Sequence, residues 1–322
     1  MRVNPPNLEI TVRKPHRLQP GQTIGVVAPS SPVPAEDLEK GIALITARGY
    51  RVVVGEHVLK QAGHCDYLAG EDAARAVDLN AMFARQDIDA IFCARGGYGA
   101  LRLLDRLDWA TLAANPKIFV GYSDITSLHA AILGRANFGT FHAPMVTAHP
   151  KLDETVRSVF WQLLESTEPL GALPADPAQM QTVVGGTAEG ELAGGCLCLL
   201  AHACGSRYAP DFDGKIVVLE DVNDAVYHAD RDLWQLRHAG AFEEAAGFVI
   251  GSLTGWKKHE ADPPCNTPEA LWHDFFGPLG KPVISGFPFG HEPNPLSLPL
   301  GVRARLDADA RTLTLLKPAV RP

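Results

Sequence analysis

The stretch KIFVGYSDITSL, residues 117–128, contains the change of pattern that decides the fold of this chain. It begins as a short apolar run, passes through a glycine just before Ser123, and continues with Ile125 and Leu128 at helical spacing. The pattern therefore predicts a strand, a sharp turn and a helix. At such a turn the hydroxyl of Ser123 is exposed at the carboxyl edge of a parallel sheet, as in a nucleophile elbow. The alternative is that Ser123 only caps the helix, as serine commonly does.

Strands and helices alternate around this stretch. Apolar strand patterns occur at 23–28, 50–54, 88–94 and 139–142, and helical patterns occur at 36–48, 71–85 and 101–107. This alternation is typical of a parallel sheet with helices on both faces. In such sheets ligands bind outside the carboxyl ends of the strands. Ser30, the glycine-rich run 96–99 and Ser123 all follow a predicted strand, so we expect them to share one edge of the sheet.

The second half of the chain has a different pattern. A helical segment at 152–165 leads into a stretch rich in Pro, Ala and Gly, and strands are then predicted at 215–220, 246–252, 282–285, 302–307 and 312–316. Fewer helices separate these strands. The sequence thus predicts an α/β fold with an N-terminal parallel-sheet (Rossmann-like) domain over 1–150, a linker over 151–187, and a smaller mixed α/β C-terminal domain over 188–322.

The composition excludes several classes of protein. With 322 residues, 46% of them hydrophobic and 20% charged, the chain is long and apolar enough for two globular cores. The net charge of -8 and the lack of a Lys/Arg-rich run argue against a nucleic-acid partner. No apolar leader and no run long enough to span a bilayer occur in the sequence, so we expect no membrane association and a cytoplasmic location.

The six cysteines are scattered unevenly, which argues against a disulfide framework. Cys196, Cys198 and Cys204, with His202 among them, suggest a metal site. However, the segment 195–204 has an apolar helical pattern, and a free cysteine commonly behaves as a small buried hydrophobe. The sequence therefore predicts no metal site here.

The run Gly96-Gly97-Tyr98-Gly99 follows a predicted strand and precedes a helix. Glycine allows backbone N–H groups to turn toward a ligand at low steric cost. The run matches neither G-x-G-x-x-G nor the Walker A pattern. An oxyanion hole beside Ser123 is therefore favoured over a phosphate cradle. The remaining alternative is a tight strand-to-helix turn without a binding role.

Two further residues complete a candidate catalytic set. Glu220 ends an apolar strand and could orient a histidine, although an acidic strand end or a helix cap would use the same residue. His291 ends a Gly- and Pro-bounded loop, and imidazole titrates near neutrality. Of the other histidines, His129 is expected to pack against the sheet. Ser123, Glu220 and His291 together predict a serine hydrolase whose site lies between the two domains.

Taken in order, these stretches resemble the LD-carboxypeptidase family, the muramoyltetrapeptide carboxypeptidases. The resemblance covers nearly the whole chain and rests on LQPGQTIGVVAPS at 18–30, ARGGYG at 94–99, VGYSDIT at 120–126, LAGG at 192–195, LEDV at 219–222 with Tyr227 and Asp230-Arg231, and GFPFGH at 286–291. Two positions depart from the family pattern: Cys196 stands where the family often has Asn, and Gly205-Ser206 where it often has Gly-Thr.

The resemblance implies a cytoplasmic serine peptidase of murein recycling. It would remove the terminal D-Ala from the L-Ala-D-Glu-meso-diaminopimelate-D-Ala stem. By the family motifs, Ser123 is the nucleophile, His291 the general base and then acid, and Glu220 the residue that orients His291. The oxyanion donors would be the backbone N–H groups of Asp124 and Gly97.

The resemblance also implies a small muropeptide ligand, a homodimer, and no metal or cofactor. Gly96, Arg95 and Arg231 are candidates for substrate binding. Either arginine could pair with a substrate carboxylate, the alternative for each being a structural ion pair.

Two rival functions remain. Microcin-immunity proteins resemble the same motifs and cleave an amide of a peptidyl or aminoacyl nucleotide. An extended aromatic-bearing loop between the domains would favour that function, but the sequence offers only Trp161, in a helical pattern. A non-catalytic sensor of peptidoglycan fragments would have lost one of the three catalytic positions, and all three are present here.

Overall fold

The computed structural model describes residues 11–222, 225–256 and 266–322. Its strands are β1 (Thr23–Val27), β2 (Arg51–Val54), β3 (Ala90–Cys93), β4 (Ile118–Gly121), β5 (Thr140–His142), β6 (Gly171–Ala172), β7 (Gln181–Val184), β8 (Thr187–Cys196), β9 (Ile216–Val222), β10 (Gly247–Thr254), β11 (Val283–Ser285), β12 (Leu298–Leu300), β13 (Arg303–Asp307) and β14 (Thr312–Leu315). Its α-helices are α1 (Ala35–Ala47), α2 (Asp72–Ala84), α3 (Trp109–Ala114), α4 (Thr126–Ala131), α5 (Glu154–Glu165), α6 (Leu197–Ala203), α7 (Val226–His238) and α8 (Pro268–Phe276). Over these ranges, every helix is too short or too polar to cross a bilayer.

The first sheet has the order β12-β5-β4-β3-β1-β2, and β1 to β5 run parallel. Every residue of β1, β3 and β4 is buried, which is why these strands read as continuous apolar runs rather than alternating ones. The predicted parallel sheet of the N-terminal half is confirmed. The predicted helix at 101–107 is a tighter 3-10 helix, Ala100–Arg106.

The second sheet has the order β6-β14-β13-β8-β9-β10-β11-β7, with a parallel centre from β8 to β11 and antiparallel edges. This confirms the mixed α/β character of the second half. Strand β8 was not predicted, because its glycines at 190, 194 and 195 disfavour a strand locally. Pairing with β9 on one side and β13 on the other holds it in place.

The segment 151–187 contains α5 and the two edge strands β6 and β7 of the second sheet. The domain boundaries at 150 and 188 stay a prediction.

Strand β12 crosses from the second half of the chain to the first sheet. It pairs antiparallel with β5, with Leu298 opposite His142, whereas the preceding strand β11 belongs to the second sheet. The loop between β11 and β12, which carries His291, therefore connects the two sheets. The strand pattern did not predict β12, because the sequence around it is rich in proline. Burial of Leu298 and Leu300 in the core holds β12 in place.

Candidate active site

Ser123 follows β4 directly and has a backbone φ of 64°, in the left-handed region that costs free energy for any residue except glycine. Its Oγ lies 3.1 Å from Nε2 of His291. The N-cap residue of the 3-10 turn that starts at Ser123 is Tyr122, and that of α4 is Ile125, so Ser123 is the N-cap of neither. The strained turn therefore directs the hydroxyl toward an imidazole and not toward the helix that follows.

The carboxylate of Asp124 holds three loops together. It accepts a hydrogen bond from Ser30 Oγ at 2.6 Å and another from the Ala100 backbone N–H at 2.7 Å. The loops after β1, β3 and β4 thus meet at one buried group, whose pKa is raised by burial. The sequence predicted a role only for the backbone N–H of this residue. A carboxylate directly after the candidate nucleophile was the available signal.

The glycine-rich loop lies against the nucleophile turn. A Cβ on Gly96 would stand 3.0 Å from Ser123 Cβ, and Gly97, with φ of 112°, has room for no side chain because Ser31 Oγ would be 2.2 Å from its Cβ. Within the described ranges, nothing accepts a hydrogen bond from the Gly97 N–H. The N–H of Asp124 belongs to the first turn of a helical segment, where no carbonyl of that turn can accept it. Among the described residues, both groups are therefore left to donate to a ligand, as the predicted oxyanion hole requires, and that role stays a prediction.

His291 joins Ser123 to Glu220. Its Nδ1 lies 2.6 Å from Glu220 Oε2. Burial by itself would raise the pKa of Glu220, but the imidazoles of His142 and His291 lower it to about 2, so the carboxylate is ionised and can only accept. Nδ1 therefore donates to Glu220, and Nε2 of the neutral ring is left to accept the proton of Ser123.

Two neighbours support this imidazole and its carboxylate. The ring of Tyr122 packs edge-on against His291, with 5.1 Å between centroids. His142, at the end of β5, places its Nε2 3.6 Å from the other carboxylate oxygen of Glu220. Neither role was predicted from the sequence, since both depend on contacts between the two sheets.

His129 packs against the sheet, as expected. Its Nε2 lies 2.8 Å from the carbonyl oxygen of Gly121, and burial lowers the pKa of the ring to about 3. This histidine stays neutral at physiological pH and is directed away from Ser123.

A cavity of about 680 Å³ opens over Ser123 and His291. Arg95 lines it and donates from Nη1 to the Pro32 carbonyl oxygen at 3.1 Å, and among the described residues it forms no structural ion pair, which was the alternative considered for it. Lys151 also lines the cavity, and no pattern in the sequence predicted that position.

Arg231 is placed elsewhere. It lies on α7 with its guanidinium 5.6 Å from the ring centroid of Tyr227, and it is not among the described residues that line the cavity. The structure therefore brings one of the two candidate arginines to the site and leaves the other on a helix of the second half.

Gly290 allows the histidine loop to lie on Glu220. It has φ of 88°, and a Cβ here would stand 2.4 Å from the Glu220 side chain. We expect Gly290→Ala to lower the free energy of unfolding by about 2–5 kcal/mol, the sum of left-handed strain and overpacking. Urea unfolding of the variant measures this loss.

Gly280→Ala is the matched control, because Gly280 has φ of 63° but no described atom lies within 4 Å of its added Cβ. We expect it to lose only the strain, about 1–2 kcal/mol. Equal losses in the two variants would contradict a tight contact between residue 290 and Glu220.

Comparison with known proteins places this geometry in context. Sequence models of the LD-carboxypeptidase N-terminal domain and C-terminal domain match residues 24–143 and 189–306, respectively. A putative carboxypeptidase of Streptomyces coelicolor is 40% identical, covering 95% of this chain and 97% of that protein. A probable murein peptide carboxypeptidase of Bacillus subtilis is 33% identical, covering 94% of each.

Two further proteins are similar to this chain over most of their length. The crystal structure of a muramoyltetrapeptide carboxypeptidase from Oxalobacter formigenes superimposes with a TM-score of 0.80 at 29% identity, covering 91% of this chain and 98% of that one. The microcin C7 self-immunity protein MccF of Escherichia coli is 27% identical, covering 92% of this chain and 93% of that protein.

Proposed function

The chain belongs to the LD-carboxypeptidase family, and from this premise we propose that it is a serine peptidase that removes the terminal D-alanine from murein tetrapeptides. The observation that carries the proposal is the position of His291, within hydrogen-bond distance of both Ser123 Oγ and Glu220 Oε2. A nucleophile, a base and an ionised group that orients the base are the parts that acyl transfer requires.

Acylation begins when His291 Nε2 takes the proton of Ser123 and the Oγ attacks the carbonyl carbon between meso-diaminopimelate and D-alanine. The negative charge that develops on the carbonyl oxygen is stabilised by the backbone N–H groups of Gly97 and Asp124. Glu220 stabilises the imidazolium that forms without itself taking a proton.

Acylation ends when the imidazolium of His291 gives its proton to the leaving amine, the C–N bond breaks, and D-alanine departs while the tripeptide stays on Ser123 as an ester. In deacylation His291 takes a proton from water, the hydroxide attacks the ester carbon, the ester bond breaks, and the proton returns to Ser123 Oγ. Arg95 and Lys151 supply positive charge at the cavity for the carboxylates of the substrate. No step needs a metal or a cofactor.

The relatives support murein peptides as the substrate class. Two of the similar proteins bear names of murein peptide or muramoyltetrapeptide carboxypeptidases. A cytoplasmic location, a homodimer, and the lack of a nucleic-acid or membrane partner belong to the same proposal.

Mass spectrometry tests the proposed reaction. Purified protein is incubated with a murein tetrapeptide, and Ser123→Ala serves as the control. We expect the wild type, and not the variant, to release one alanine. Release of alanine by both proteins would support the proposed activity but would show that Ser123 is not the nucleophile. Release by neither protein would contradict the proposed substrate.

The rival function is a serine amidase of the microcin-immunity type, acting on peptidyl or aminoacyl nucleotides. The likeness to MccF, over nearly the full length of both chains, favours it specifically. An aminoacyl sulfamoyl adenosine, incubated with the protein in the same assay, separates the two functions. Cleavage of this compound together with inert tetrapeptide would support the rival.

The pH dependence follows from the charge of His291. Burial lowers the pKa of this ring, but the hydrogen bond and negative charge of Glu220 outweigh burial and raise the pKa above its ordinary 6.5. Because the base must be neutral, we expect kcat/KM to fall as the pH drops through this raised pKa.

Glu220→Gln should keep the shape of the side chain and remove its charge. We then expect burial to dominate and the pKa of His291 to fall below 6.5, while kcat falls by about 10⁴-fold through loss of the correct tautomer. NMR titration of the His291 ring measures the first effect independently of activity. An unchanged ring pKa would exclude Glu220 as its charged partner.

A further inference from the structure

A second cluster of reactive side chains lies beside Glu220. Cys196 ends β8, Cys198 lies in the first turn of α6, and Asp221 follows Glu220 on β9. The two Sγ atoms are 3.6 Å apart, and Asp221 Oδ1 lies 3.4 Å from the sulfur of Cys196 and 3.7 Å from that of Cys198. Three potential metal ligands therefore form a nearly equilateral triangle.

The dimensions of this triangle match one face of a tetrahedral zinc site. Zn–S bonds of about 2.3 Å and a Zn–O bond of about 2.1 Å at tetrahedral angles give edges of about 3.8 Å between sulfurs and about 3.6 Å between sulfur and oxygen. The observed edges agree with these values within about 0.2 Å. Little movement of the side chains is needed to bind an ion.

The charge at this place also favours a cation. Cys196 and Asp221 are almost fully buried, with 2% and 3% of their surface exposed, and the ionised Glu220 pairs in register with Cys196. Among the described residues, no lysine or arginine forms an ion pair with Asp221. In the part of the chain that the structure describes, the buried carboxylate of Asp221 is held only by hydrogen bonds, from the backbone N–H groups of Cys198 and Val222 and from the two thiols, and a bound cation would add a full positive charge beside it.

We propose that Cys196, Cys198 and Asp221 bind a zinc ion or a similar thiophilic divalent cation. Two thiolates and a carboxylate are ligands that zinc accepts, and the fourth position remains open to water on the partly exposed side of Cys198. Binding would release the thiol protons and connect β8 to β9 one residue beyond Glu220. This set of ligands differs from the one suggested by the sequence, which was Cys196, Cys198, Cys204 and His202. The structure brings Asp221 to the two cysteines instead of Cys204 and His202.

Metal titration of the reduced, chelator-treated full chain tests the site. With Co²⁺ as the probe, we expect thiolate-to-cobalt charge-transfer absorption that saturates at one equivalent and disappears on addition of Zn²⁺. Zn²⁺ should also raise the Tm, because it binds the folded chain preferentially. Cys198→Ser, at a partly exposed position, should weaken Co²⁺ binding by at least about 100-fold while the variant stays folded.

Cys204→Ser is the matched control, since the Cys204 sulfur is 3.7 Å from the Leu200 carbonyl oxygen and outside the triangle. It should bind Co²⁺ as the wild type does. Absorption that persists in a Cys196→Ser/Cys198→Ser double variant, or no uptake by the reduced wild type, would overturn the proposal. In the latter case, a mass loss of two hydrogens after exposure to peroxide would identify the thiols as a disulfide-forming pair instead.

Discussion

Ser123→Ala is expected to reduce kcat for release of D-alanine by about 10⁶-fold, the loss seen when a serine-peptidase triad loses its nucleophile. The change removes one oxygen atom, the one that lies 3.1 Å from His291 Nε2, and keeps the Cβ and the strained backbone of the turn. The oxyanion donors and the cavity remain, so residual catalysis over water of about 10³–10⁴-fold is expected. Substrate binding should be nearly unchanged.

The measurement compares single-turnover rates and the mass of the protein during turnover. Wild type should accumulate or pass through an acyl ester, and the variant should form none. Ser127→Ala is the matched control, because Ser127 lies on α4 directly after the turn of Ser123, is buried, and has no hydrogen-bond partner for its hydroxyl among the described residues. A loss of activity in Ser127→Ala as large as that in Ser123→Ala would indicate a disturbed helix and not a missing nucleophile.

His291→Ala is expected to cost nearly as much, again about 10⁶-fold in kcat, because the serine hydroxyl is then left without a base. Nucleophile and base act as one unit, so the double variant Ser123→Ala/His291→Ala should be no slower than either single variant. Kinetics of the three variants on one tetrapeptide check this non-additivity.

His64→Ala is the control for His291→Ala, since His64 is exposed and contacts Glu71 rather than the cavity. It should leave kcat unchanged. A His291→Ala variant that kept a tenth of the wild-type rate, or additive losses in the double variant, would place the base elsewhere.

The sequence predicted most of the first sheet, because its buried parallel strands read as apolar runs that depend only on residues within each run. It missed β8 and β12 for the same kind of reason. The glycines of β8 and the prolines around β12 disfavour strands locally, and only their pairing partners stabilise them. Local propensity is a weak guide wherever tertiary pairing outweighs it.

Some residues of the candidate site could likewise be predicted from the sequence, and others could not. The sequence named Ser123, Glu220 and His291 and the glycine-rich loop, since each stands at the end of a predicted strand or in a rigid loop. It could not supply the buried bonds of Asp124 or the position of Lys151 at the cavity. These depend on loops from different strands meeting at one edge.

By itself, the sequence determined most of the strands and helices of the first half, the chemistry available at each predicted strand end, and the family. Only the tertiary structure decided which of these groups meet. Ser123 and His291 are 168 positions apart, and their contact depends on a loop that leaves one sheet and returns in the other. The physical reason is the separation along the chain of the residues that interact. A strand or helix is favoured mainly by interactions among neighbours in the chain, whereas a site forms only when distant segments pack together.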